Sequence, residues 1–217
     1  MEALGYWQYI TYWTLLPSQN AGTGTVAYSA GGGGIYDGTL TAGASWGADG
    51  LYTEGGGMTM PVCYKDYSSS TFFIQKPTAL NDSIAVMMTN GDNNDGFNDM
   101  TQGWINNESN ISYSTLYRSF GEGLPIPQDV YSACGANLIN DSSLITWVNG
   151  VIQIQGGSNC DPSALETLIS ALGQSTNGDY IYTGYFPFAL IARGVVINYD
   201  SVYALYKSTL GSSLVLP

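Results

Sequence analysis

The sequence predicts an all-β fold: an antiparallel β-sandwich, jelly-roll-like, carrying one or two short helices. Three observations lead there. The first is the stretch Leu144 to Gln155, where two short apolar runs flank Asn149-Gly150. Asn and Gly tolerate the positive φ that a type I′ turn requires at both central positions. A two-residue loop sets Val148 opposite Val151, Trp147 opposite Ile152, Thr146 opposite Gln153 and Ile145 opposite Ile154. One face of the hairpin is then Ile145, Trp147, Ile152 and Ile154, the pattern of a sheet lying on a core. The second observation is that most of the chain reads the same way, as short strands between Gly, Ser and Asn turns. The third is composition: 44% of residues are hydrophobic, enough for a packed core.

Taken in order, Tyr6–Leu16 is dense in strand-favouring aromatic and β-branched residues on both alternating faces, as in a strand buried on both sides. Pro17 stops it, and the Ser/Gln/Asn/Gly stretch that follows reads as a flexible connector. Thr25–Ala30 is a short strand. Ile35–Trp46 is a strand pair or a bulged strand, since Gly38 and Gly43 interrupt it. Leu51–Glu54 and Met58–Tyr64 flank Gly55–Gly57 as a hairpin. Thr71–Gln75 and Ile84–Thr89 are strands, Asn90–Asp99 is an acidic loop, Ile111–Phe120 alternates again, and Gly121–Gln128 is a Pro-containing crossover. Asp161–Gly173 reads as the clearest helix, with Asp161 as cap, Pro162 at the first helical position, and Leu165, Leu168, Ile169 and Leu172 on one stripe. Tyr180–Tyr199 returns to strands broken near Pro187 and Gly194. Ser201–Leu210 reads as a second helix capped by Ser201, and Leu214–Leu216 as a closing strand.

No repeat of fixed period is present. The expected organisation is an N-terminal arm, residues 1–17, and one β domain, residues 18–217. Two β modules split near residues 121–128 are the alternative.

Charge narrows the partners. Charged residues are 10% of the chain and the net charge is −12. Five Lys and Arg cannot neutralise a row of phosphates or bind an anionic membrane surface. There is no histidine, which removes the usual neutral-pH base and the commonest transition-metal ligand. No apolar run is long enough to span a bilayer as a helix. The N-terminus shows no basic, then apolar, leader pattern. The expected location is extracellular or on a virion surface.

Four stretches carry candidate chemistry. The loop around Asp92, Asn94, Asp95 and Asp99 offers several oxygen ligands to a hard cation such as Ca²⁺, although its spacing is not that of an EF-hand; otherwise no cofactor is expected. Sequons place candidate glycans on Asn81, Asn107, Asn110 and Asn140. Cys134 and Cys160 bracket the Asn149-Gly150 hairpin and form a candidate disulfide, the alternative being buried thiols; Cys63 reads as a core residue. Glu54, Glu122 and Glu166 are the glutamates that carboxylate hydrolysis would draw on. No nucleophile motif or phosphate loop is present, so no catalytic residue is assigned and no enzymatic activity is expected.

The chain has 17 Tyr and five Trp. Such residues stack on sugar rings or fill subunit interfaces, and no aromatic triplet on one strand face marks a sugar platform. Over its whole length the composition is similar to that of coat and surface proteins of archaea from hot acidic habitats and of their viruses. The leading expectation is therefore a structural subunit, a virion coat or extracellular filament protein whose partners are copies of itself. Its N-terminal strand would be donated to a neighbour through Trp7, Ile10, Trp13 and Leu16. A secreted acid-tolerant hydrolase and a glycan-binding module are the alternatives.

Overall fold

The computed structural model describes residues 1–19, 21–61, 68–79, 85–91, 99–104, 110–115, 124–125, 127–140, 143–156, 170–174 and 182–217. In chain order the first strands are β1 (Ile10–Thr14), β2 (Gly22–Thr23), β3 (Val26–Ala27), β4 (Ser29–Ala30), β5 (Gly38–Leu40) and β6 (Ala44–Gly47). Next come β7 (Gly50–Thr53), β8 (Met58–Met60), β9 (Ser70–Pro77), β10 (Ala85–Gly91), β11 (Asp99–Trp104) and β12 (Asn110–Thr115). The last are β13 (Leu124–Pro125), β14 (Ser132–Asn140), β15 (Ser143–Val148), β16 (Val151–Gly156), β17 (Ser170–Leu172) and β18 (Gly184–Ala192), followed by helix α1 (Tyr199–Ser208).

The strands form two antiparallel sheets, as the sequence predicts. The first runs β16-β15-β14-β9-β18-β1-β4, with β7 also on β18 and β6 on β7. The second runs β13-β12-β11-β10-β17-β8-β5-β3-β2. Strands from either side of residues 121–128 share both sheets: β9 pairs with β14, and β10 with β17.

One apolar layer lies between the sheets. Trp13, Leu51, Phe73, Val148, Phe186 and Ile191 face Leu40, Met58, Met60 and Leu172 across it. A second layer covers the opposite, outer face of the first sheet, where Phe72, Ile74, Trp147, Phe188 and Leu190 lie beneath Tyr199, Val202, Tyr203 and Tyr206 of α1. The first sheet is thus a middle layer, which explains why β9 (S-T-F-F-I-Q-K-P) and β18 (G-Y-F-P-F-A-L-I-A) are apolar at consecutive positions rather than alternate ones. Trp147 Nε1 donates to Asp200 Oδ1 at 2.9 Å and ties the sheet to the helix.

The Asn149-Gly150 hairpin forms in the expected register, from Val148 opposite Val151 to Ile145 opposite Ile154. Asn149 and Gly150 both have positive φ, 49° and 92°. Its faces differ from the expected pair. Trp147 is buried, while Ile152 on edge strand β16 is 58% exposed, because α1 reaches β15 and not the strand beyond it.

Five expectations are corrected. The predicted helix Asp161–Gly173 ends as a strand: Ser170–Leu172 pairs with β10 and β8, its residues buried where a β ladder satisfies the backbone; residues 161–169 lie outside those described. The described helix is the second one predicted, and its cap is Asn198, whose side chain accepts from the Ser201 amide, rather than Ser201. Leu51–Glu54 and Met58–Tyr64 do not pair as a hairpin; β7 belongs to the first sheet and β8 to the second, so Gly55–Gly57 crosses between layers. Leu214–Leu216 forms no strand, and Leu214 and Leu216 instead pack on the layer around α1.

The N-terminal strand is the fifth. β1 pairs with β18 along its whole length and with β4 on its other side, within its own chain. Ile10, Trp13 and Leu16 are buried in the chain's own core, and only Trp7 is substantially exposed, at 42%. A strand with both edges filled and both faces covered has nothing left to donate to a neighbour.

Candidate functional site

The outer face of the first sheet is covered by α1 over only part of its area. At the uncovered end the register lines up one side chain from each of several strands. Ser45 on β6 is opposite Tyr52 on β7, Tyr52 opposite Tyr185 on β18, and Tyr185 opposite Lys76 on β9. Tyr131 stands just before Ser132, which pairs with Gln75, and so continues the row beyond Lys76 into the buried layer that includes the tyrosines of α1.

Two backbone features place Tyr185 in this row. The first is Pro187, which cannot donate to a ladder and is tolerated in a strand only at an edge or bulge. The step from Tyr185 to Phe188 in β18 faces the shorter step from Lys76 to Ile74 in β9, with a register shift between them. The extra residue keeps both Tyr185 and Phe188 on the outer face while Phe186 enters the core between the sheets. The second is Gly47: a Cβ there would lie 2.8 Å from Cε1 of Tyr185, so the ring rests where a side chain would be. The same hairpin needs Gly50, whose φ is 123° and whose added Cβ would meet the Phe186 carbonyl oxygen at 2.5 Å. Residues Ala48-Asp49 form the turn between β6 and β7, which brings Asp49 over the row.

The Tyr52 and Tyr185 rings are half-buried, with centroids 4.7 Å apart and planes inclined by 37°. Lys76 Nζ lies 2.8 Å from Asp49 Oδ2, 5.3 Å from the Tyr131 ring centroid and 5.9 Å from that of Tyr185. Tyr52 donates its hydroxyl to Glu54 Oε2 at 3.0 Å. Burial raises the pKa of the Tyr52 phenol and the Glu54 carboxylate raises it further, against an opposing hydrogen bond from Thr78. Burial, followed by the charge of Asp49, likewise pushes the Tyr131 phenol upward. Both hydroxyls therefore remain protonated; that of Tyr52 is the donor to Glu54 and keeps its lone pairs as acceptors, while that of Tyr131 is buried. Tyr52 and Tyr185 offer half-open aromatic faces flanked by the Ser45 hydroxyl, one ammonium and two carboxylates, a set suited to packing on a ring while hydrogen-bonding its edge.

A second concavity, of about 350 Å³, lies between the N-terminus, β1 and the end of α1. Trp7, Tyr12, Phe188 and Tyr206 wall it, and Glu2 supplies its one carboxylate.

The residues singled out in the sequence fall elsewhere. Asp92, Asn94 and Asp95 lie outside the described residues; Asp99 opens β11, opposite Gly91. Among the described residues no three His, Cys, Asp or Glu side chains are grouped to hold a metal. Asn81 and Asn107 are also outside, while Asn110 is paired with Pro125 and Asn140 ends β14 opposite Ser143. Cys134 is a buried thiol, its pKa raised by burial in the layer between the sheets; its candidate disulfide partner Cys160 lies outside the described residues, as does Cys63. Of the three glutamates considered for catalysis only Glu54 is described, and it is exposed beside Tyr52. The row itself escapes a search for aromatic residues along one strand, because each member comes from a different strand. The one local signal is Pro187 inside an apolar run, which implies a bulge and a change of facing.

No protein-family model matches the chain, and no curated protein matches it. Among solved structures the fold recurs. Trypanosoma rangeli sialidase in complex with 2,3-difluoro-KDN matches with a TM-score of 0.69 and 11% identity, over 92% of this chain and 33% of the sialidase chain. The same sialidase in complex with sialic acid matches with a TM-score of 0.59 and 10% identity, over the same shares of the two chains. Domain 4 of AbnA, a GH43 extracellular arabinanase from Geobacillus stearothermophilus, in complex with arabinotriose, matches with a TM-score of 0.54 and 16% identity, over 90% of this chain and 87% of that domain. The chain thus spans about a third of the sialidase and most of the arabinanase domain. At these identities the likeness is one of fold. It corrects the leading expectation: the relatives in structure are domains of glycoside hydrolases, not coat or filament subunits, and β1 is sealed in its own sheet.

Proposed function

We propose that this chain is a glycan-binding module whose binding surface is formed by Tyr52, Tyr185 and Lys76, with the buried Tyr131 ring behind the ammonium. The observation that carries the reading is the pair of half-open tyrosine rings on an uncovered sheet face, held by a bulge and a glycine contact. Rigid aromatic surface of this kind packs on the apolar face of a sugar with little ordering cost. The fold supports the same reading, since it recurs in an arabinanase domain that was studied in complex with arabinotriose. Binding rather than turnover fits the chemistry. Tyr52 is held protonated beside Glu54, which suits a hydrogen-bond donor and opposes a phenolate nucleophile. Asp49 is engaged by Lys76 and is not poised as a free acid or base.

Affinity electrophoresis through gels containing soluble polysaccharides tests this. The protein is expected to be retarded in at least one gel, and Tyr185→Ala is expected to abolish the retardation. Tyr28→Ala, at an exposed tyrosine outside the row, should migrate like the parent. Unretarded migration through a broad panel of polysaccharides defeats the proposal.

A further inference from the structure

We infer that the row selects neutral glycans and rejects acidic ones, with the Asp49–Lys76 pair as its specificity-determining element; this rests on the glycan-binding reading above. The structural relatives bind sugars of both kinds: the sialidase holds sialic acid, which carries a carboxylate, and the arabinanase domain holds arabinotriose, which carries none. Charge decides between them here. Recognition of a carboxylate calls for an available cation, ideally one free to form charge-assisted hydrogen bonds. Lys76 is the cation of the row, and its ammonium is already 2.8 Å from Asp49 Oδ2 and packed against the rings of Tyr131 and Tyr185. Glu54 adds a negative charge at the far end, bonded to Tyr52.

The other two described cations are equally occupied. Arg193 donates to the Gly33 carbonyl and to Tyr36 Oη, with its guanidinium 4.9 Å from the Tyr36 ring centroid. Lys207 donates to the Pro217 carbonyl and lies 5.2 Å from the Tyr203 ring centroid. Over the whole chain a net charge of −12 adds a repulsive background for any anionic ligand. A neutral sugar meets none of this. It needs only ring faces and hydrogen-bonding groups, and Asp49 and Glu54 remain acceptors for its hydroxyls.

The test compares the protein with Asp49→Asn and Lys76→Met on neutral gels (arabinan, galactan and β-glucan) and on acidic ones (polygalacturonate and polysialate). The parent should be retarded by a neutral polymer and not by an acidic one. Asp49→Asn, which keeps the side-chain shape and frees the ammonium, should strengthen retention on an acidic gel by about tenfold, as expected when a like charge is removed from a binding surface. That gain should shrink in high salt. Lys76→Met, which loosens the same pair without freeing a cation, should gain nothing on acidic gels. Retention of the parent by an acidic polymer as strongly as by a neutral one overturns the inference while leaving the glycan reading intact. So does an Asp49→Asn variant that gains no acidic binding. A parent retarded by none of the gels sinks the glycan reading itself, and this inference with it.

Discussion

Tyr52 and Tyr185 face each other across the β7–β18 ladder with ring centroids 4.7 Å apart, and Gly47 lies beneath the second ring. The pair is therefore positioned by a residue without a side chain. Gly47→Ala keeps both tyrosines but puts a methyl group 2.8 Å from Cε1 of Tyr185. The ring must move, and glycan retention is expected to fall several-fold. The half-buried setting should hold the stability loss near the lower end of overpacking costs, about 1 kcal/mol. Affinity electrophoresis and thermal melting on the same sample separate the two effects. Parental binding by Gly47→Ala would show that the ring's position is not what the surface depends on.

Asn137 makes the opposite kind of prediction. Its backbone is fully paired between β9 and β15, and its side chain is 1% exposed. Neither its amide nitrogen nor its carbonyl oxygen has a hydrogen-bond partner. Ile145, Trp147 and Ile197 lie around it, under the segment that leads into α1. Burying unpaired polar groups is costly, so Asn137→Leu, close in shape, should raise stability by about 1–2 kcal/mol. Denaturant unfolding measures this as a higher midpoint at unchanged slope. A lower midpoint would mean that the amide is satisfied in solution.

Alkaline pH should destabilise the fold in a defined window. Burial raises the phenol pKa values of Tyr182, Tyr206 and Tyr203 above the ordinary 10.0, that of Tyr203 to about 12. In the unfolded chain these groups lose their protons near 10, while the folded chain retains them, so the unfolded state binds fewer protons and stability falls as pH rises. The contribution is complete below the unfolded value and is lost between 10.0 and about 12 for Tyr203. The buried Cys134 thiol acts with the same sign, starting from its ordinary 9.0. Guanidinium midpoints measured from about pH 8 to about pH 11 should hold level and then drop. A level midpoint throughout would contradict the burial of these tyrosines.

The amino-acid sequence by itself determined what depends on near neighbours. Asn149-Gly150 between two apolar runs specified a type I′ hairpin and its register, because positive φ and a two-residue loop leave one pairing. Pro187 announced a break in β18, because a residue without an N–H interrupts a ladder. Consecutive aromatic and β-branched residues in Tyr6–Leu16 marked a strand buried on both faces, and in β1 Ile10 and Trp13 are buried in opposite layers.

The tertiary structure decided whatever depends on which strands meet. Ser170–Leu172 continues a helical stripe in the sequence and is nevertheless a strand, because the gap between β10 and β8 offers partners on both edges. β1 carries the marks of a donated strand and instead pairs with β18, whose open edge lies nearly a whole chain length away. The candidate site is the clearest case. Tyr52, Lys76 and Tyr185 share no local pattern, since each stands in different surroundings. They become one surface only because β7, β18 and β9 lie side by side in one register, a consequence of long-range pairing and of the core that pairing encloses.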